Sequence, residues 1–117
     1  MKLALLISAI VEIIGGLVSY LYPDVIFSQG NPLLYRIYGL SALTIGIFTF
    51  LLFKHFEETK FFRLAYMTLM FFQGALAMII YSSSSEYIDY KLGANLTHLI
   101  LFVLLLYGYL KDLKPDT

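Results

Sequence analysis

Five side chains in this sequence could do chemistry together in an apolar setting: Glu12, Arg36, Gln73, Asn95 and His98. Glu12 stands in the middle of an apolar run from about Leu3 to Tyr22. Placed inside a bilayer, a charged carboxyl costs on the order of a few kcal/mol unless it takes up a proton or meets a partner. Ser8, Glu12, Gly15 or Gly16, and Ser19 recur at three- to four-residue spacing, so one helical face would present them together. Small residues on that stripe also let a neighbouring helix come close. A glutamate and a histidine in an apolar site can hold or pass a proton. An arginine could supply the countercharge, and the Gln73 and Asn95 amides could orient the pair or a ligand.

The elements that must position these groups are four apolar stretches, at about residues 3–22, 33–53, 61–81 and 92–110. Each is near the roughly 20 residues that a helix needs to cross a hydrocarbon core of ~30 Å. The runs do not alternate in polarity, and an open four-stranded sheet could not cross lipid, so helices are expected. Composition agrees. Apolar residues make up 60% of the 117 and charged residues 14%, with a mean hydropathy of +0.80. That is too little charge to cover a water-facing surface of this size. Pro23-Asp24 ends the first run, and Asn31-Pro32 is a plausible helix start before the second. The Ser82–Ser85 run ends the third, and Lys111-Asp112 with Pro115 closes the fourth. A charged N-terminal residue ahead of an apolar run resembles a leader sequence. Glu12 interrupts it, however, and no small-x-small cleavage pattern precedes Pro23, so the segment reads as the first membrane helix.

The connections are short, which predicts antiparallel neighbours in a single up-down-up-down bundle spanning residues 1–117. Lys2, Lys54, Lys60, Arg63, Lys111 and Lys114 then fall on one side, and only Arg36 and Lys91 on the other. By the positive-inside rule the first group marks the cytoplasm, so both termini are expected there. Tyr20, Tyr22, Tyr35, Tyr38, Tyr81, Tyr87 and Tyr90 cluster towards the opposite ends of the spans, as an interfacial aromatic belt would. The expected location is a multi-pass position in the bacterial inner (plasma) membrane. Lipid is then the main partner, alongside a homo-oligomeric copy or a partner subunit. With no net charge, the chain offers no basic footprint for nucleic acid.

Depth ties the five residues together. Counted from the cytoplasmic end of each span, Glu12 lies about ten residues in, and Gln73 and His98 about twelve. At ~1.5 Å per residue they share one level. Asn95 lies one turn from His98 on the same face. Arg36 is higher, on a face with Gly39, Leu43 and Gly46, from which it could reach towards Glu12 or up to headgroups. A plainer reading stands beside each role. Glu12 and Gln73 could simply hydrogen-bond helices together, Asn95 and His98 could tie the start of the fourth span, and Arg36 could anchor at the interface.

Other chemistries find no support. With no cysteine, thiol redox chemistry and thiolate ligation are excluded. There are two histidines, one of them (His55) in the charged 54–60 connector, and no Glu-x-x-His or His-x-x-His pair, so no metal site is expected. Phosphate-binding loops and nucleophile elbows are also missing, and no motif assigns a reaction or a cofactor.

Two resemblances follow from these residues. Glu12 with Gly15-Gly16, Pro23 just after the first span, and Tyr38-Gly39-Leu40-Ser41-Ala42-Leu43 through Gly46 resemble the small four-helix DoxX-like membrane proteins. That likeness covers most of the chain. It implies a helical bundle and, for some members, a role as accessory subunit of a quinone-linked oxidoreductase or in small-molecule and redox-stress pathways. Glu12-Ile13-Ile14-Gly15 alone is similar to the first-helix signature of the small multidrug resistance exporters, where the glutamate exchanges protons for cationic substrates in an antiparallel dimer. Here the lysine near the end of the first span and the tryptophan in the third are missing, and the charge bias opposes dual insertion.

The combined expectation is an all-α membrane bundle with a polar pocket for a small amphipathic molecule, quinone- or lipid-like. A proton-coupled exporter and a ligand-free scaffold or partner subunit are the alternatives.

Overall fold

A computed structural model describes residues 1–26, 32–82 and 91–112 of the chain. Of the residues singled out above, Ser83, Ser84, Ser85, Tyr87, Tyr90, Lys114 and Pro115 lie outside the described set, as does Asn31. Five helices follow in order: α1 (Lys2–Leu21), α2 (Pro23–Ile26), α3 (Pro32–Lys54), α4 (Lys60–Ser82) and α5 (Lys91–Asp112). The four long ones are each long and apolar enough to cross a membrane, consistent with a multi-pass membrane protein. The short α2 was not expected. Pro23 stops α1 but suits the first position of a new helix, because its fixed φ is already helical and its missing N–H leaves no bond unmade. Pro32 opens α3 in the same way.

Local chemistry ends and starts the helices. The Tyr22 N–H donates to Val18 O at 2.8 Å, closing α1. Thr59 caps α4, its hydroxyl accepting from the Phe62 N–H at 3.1 Å. Hydroxyls inside the helices mostly turn back on their own backbone, as Ser41 does to Ile37 O and Thr44 to Leu40 O, both at 2.8 Å. A polar residue can thereby sit in an apolar helix without an unmet donor.

Packing sets up two antiparallel pairs. α1 and α3 approach backbone to backbone. A Cβ on Gly16 would stand 2.5 Å from Leu43 N, one on Gly39 2.5 Å from Tyr20 N, and one on Gly46 2.8 Å from Ile13 N. Only glycine permits that approach. α4 and α5 form the second pair, with the Tyr66 hydroxyl donating to Leu105 O at 2.7 Å and Gly74 lying against the Phe102 ring. α1 also packs along α5, and the Met1 amino group pairs with Asp112, which puts the first and last described residues at one end of the bundle. α1 and α4 therefore run one way, α3 and α5 the other.

The two ends of the bundle are filled differently. At the end holding Met1 and Asp112, residues Ala4, Leu5, Phe62, Tyr66, Leu69 and Leu105 make a closed apolar core. The exterior is equally apolar: Ile14, Phe61, Phe71, Met78, Ile100 and Val103 are all exposed. Buried polar groups concentrate instead along the inner face of α1, at Ser8, Glu12 and Ser19, and opposite it at Gln73 and His98.

Candidate functional site

One side chain from each long helix joins a single hydrogen-bonded chain. Gln73 on α4 donates through Nε2 to Glu12 Oε1 on α1 at 2.8 Å. The Gln73 amide oxygen lies 2.7 Å from His98 Nδ1 on α5. Because that oxygen can only accept, Nδ1 carries the proton. In the neutral ring Nε2 is then an acceptor, and the Tyr38 hydroxyl of α3 donates to it at 3.3 Å. His98 Nδ1 is also 3.4 Å from Glu12 Oε1, so the imidazole stands between two acceptors. Glu12 and Gln73 are each 2% exposed and His98 7%. The sequence places them at one depth, and the helices turn all three inward.

Burial makes completeness matter. An unmet polar atom in an apolar interior costs about 1–3 kcal/mol. Among the described residues no enclosed side-chain nitrogen or oxygen lacks a partner. Glu12 Oε2 accepts no bond from a described residue, so it borders open space rather than protein.

That space is a cavity of about 380 Å³. Glu12, Tyr38 and His98 line its polar wall, with Ser19 and Tyr35 beyond them. Thr97 also lines it, its hydroxyl turned back to Gly93 O at 2.7 Å, and the remaining walls are apolar or small, including Val11, Gly15, Ala42, Ile79, Ile80 and Ala94. All four long helices contribute, and the cavity extends from the level of Glu12 away from the end that holds Met1 and Asp112. No lysine or arginine is among its described lining residues.

The other two candidates do not join the chain. Arg36 is exposed and makes no ion pair among the described residues. Its distance explains this. A Cβ on Gly46 would lie 3.1 Å from the Glu12 backbone, so the level of Glu12 is ten residues, or about 15 Å, along α3 from Arg36. The expected countercharge is therefore not at the site. Asn95 donates through Nδ2 to Ala77 O at 2.6 Å, tying α5 to the α4 backbone, and it does not line the cavity. Among the described residues that bond is the helix tie of the plainer reading.

Tyr38 is the member that sequence reasoning assigned elsewhere, to the interfacial belt. The available signal was spacing. Tyr38 lies four and eight residues before Ala42 and Gly46, both buried, and so belongs to the inward stripe of α3. The arrangement can bind a hydrogen-bonding group at its polar wall and can hold or exchange a proton there. No group of three or more potential metal ligands occurs among the described residues. Compared with known protein families, with characterised proteins and with solved structures, the chain matches none.

Proposed function

We propose that this is a multi-pass membrane protein, with both termini on the cytoplasmic side of the plasma membrane, that binds a small amphipathic molecule, quinone- or lipid-like, in its interhelical cavity. The observation that carries the reading is the meeting of Glu12, Tyr38 and His98 on one wall of a cavity whose lining is otherwise mainly apolar. Sites for small molecules are commonly cavities of about 300–1,000 Å³, mainly apolar, with a few polar groups that fix orientation. Here the polar wall would receive the headgroup and the apolar walls the first part of the tail. The Gln73 bridge would hold the carboxyl and imidazole ready for that headgroup at no further ordering cost. On this reading the chain acts as an accessory subunit that presents a membrane-dissolved molecule to a larger partner, the role implied by its DoxX-like residues. The cytoplasmic placement of the termini rests on the bias of lysine and arginine to one side.

Equilibrium binding tests it. The chain has ten tyrosines and no tryptophan, so a short-tailed benzoquinone can be titrated by quenching of tyrosine fluorescence in uncharged detergent. Saturable binding is expected in the wild type, weakened about tenfold or more in Tyr38→Phe and Glu12→Gln. Equal affinity in all three proteins would remove the polar wall from the account. A lipophilic cation that binds with release of a proton, in place of the benzoquinone, would favour the exporter alternative.

A further inference from the structure

The adjacent glycines of α1 do different things. Gly16 has a steric reason to be glycine, because a Cβ there would collide with Leu43 N at 2.5 Å and Gly39 O at 2.8 Å. Gly15 has none, since a Cβ at that position meets nothing within 4 Å. A glycine inside a helix weakens it relative to alanine, so its presence calls for another cause. What lies beside Gly15 is the cavity, which it lines. It also stands three residues after Glu12, and so neighbours it on the same helical face. Glu12 is 2% exposed, and its Oε2 faces this space without a protein donor among the described residues. Ala42 and Ala94 continue the small-residue lining, and Tyr38 adds a ring to the same wall.

We infer that Gly15 sets the width of the cavity beside the Glu12 carboxyl, admitting an uncharged amphiphile with a flat, ring-sized head and excluding bulkier or anionic headgroups. This rests on the binding reading above and names the ligand class for the same site. The absence of lysine and arginine from the described lining speaks against a phosphate headgroup, which needs a cation or a set of donors to replace its water. The open space over Gly15 is where a ring can lie beside the carboxyl. A methyl introduced there would occupy that space and meet nothing within 4 Å.

The test compares wild type with Gly15→Ala, Gly15→Leu and Gly16→Ala in uncharged detergent, using a short-tailed benzoquinone and short-chain phosphatidylglycerol as probes. Without ligand, Gly15→Ala and Gly15→Leu should unfold at or above the wild-type temperature, and Gly16→Ala below it. The Kd for the benzoquinone should rise severalfold in Gly15→Ala and more than tenfold in Gly15→Leu, while Gly16→Ala keeps the wild-type Kd. Phosphatidylglycerol should bind all four proteins more weakly than the benzoquinone binds the wild type. If wild type binds and Gly15→Leu binds within twofold of it, the assignment of Gly15 is wrong and the binding reading survives. Wild type failing to bind the benzoquinone at all would overturn both. Tighter binding of phosphatidylglycerol would overturn the ligand class. Should Gly15→Leu fail to fold, Gly15→Ala decides: a lowered unfolding temperature there would refute the open space itself.

Discussion

Gln73 holds the polar chain together because an amide is a neutral side chain that donates and accepts at once. It donates to Glu12 and accepts from His98, so α1, α4 and α5 meet through one residue. Gln73→Leu would remove both bonds and leave a carboxyl and a ring nitrogen to find each other across 3.4 Å. The expected cost is about 1–2 kcal/mol, because hydrogen bonds between membrane helices contribute about 0.6–2 kcal/mol each and one direct contact can partly re-form. Glu12→Gln keeps an oxygen that can accept from Gln73 Nε2, so its unfolding temperature should lie close to wild type. Thermal unfolding in detergent checks both, and a larger loss in Glu12→Gln than in Gln73→Leu would mean that the carboxyl, not the amide, carries the stability. Three of the chain's residues were legible from depth alone, since one residue in an apolar run fixes a height of ~1.5 Å per step along the axis. Rotation about the axis is harder to read. For that reason Tyr38 reads as a belt residue, whereas Arg36 fails on depth: of its two possible reaches, the one towards Glu12 would have to cover about 15 Å along α3.

Among the elements, the α1–α3 pair depends on backbone contact more than any other. Gly39→Ala would drive a Cβ to 2.5 Å from Tyr20 N and 2.8 Å from Gly16 O, with backbone rather than a flexible side chain in its way. Overpacking of this kind typically costs about 1–3 kcal/mol. Gly93→Ala is the matching control, because a Cβ there meets nothing within 4 Å and α5 should gain up to about 1 kcal/mol of helix propensity. Chemical denaturation of the two variants should therefore move in opposite directions; parallel losses would show that glycine matters here for some reason other than close approach. At the start of α4, Thr59→Ala should cost about 1 kcal/mol by removing the bond to the Phe62 N–H. The long helices were legible as apolar runs of spanning length. The short α2 was not, because its four residues, Pro23–Ile26, are too few to show a helical period, and the proline reads as a stop in either case.

For the whole molecule, large apolar side chains face out as well as in, and the few buried polar groups, among them Glu12, Gln73 and His98, lie inside beside an apolar core. Composition made the apolar exterior readable, since 14% charged residues cannot cover it. The cavity was not readable in the same way, because empty space between helices depends on crossing geometry that no single run encodes. Orientation is checked with single cysteines, which the chain otherwise lacks. A membrane-impermeant maleimide should label His55→Cys only from the cytoplasmic side and Tyr22→Cys only from the other. Labelling of each from both sides would reveal dual insertion and revive the exporter reading. The most direct measurement for the binding site is photolabelling in lipid nanodiscs with a short-tailed azido-benzoquinone, mapped by mass spectrometry. Adducts at Val11, Gly15, Ser19, Ile79 or Ala94, suppressed by excess unlabelled benzoquinone and lost in Glu12→Gln, are the predicted result. Adducts confined to outward residues such as Ile14, Phe71 and Met78, and undiminished by the competitor, would contradict it.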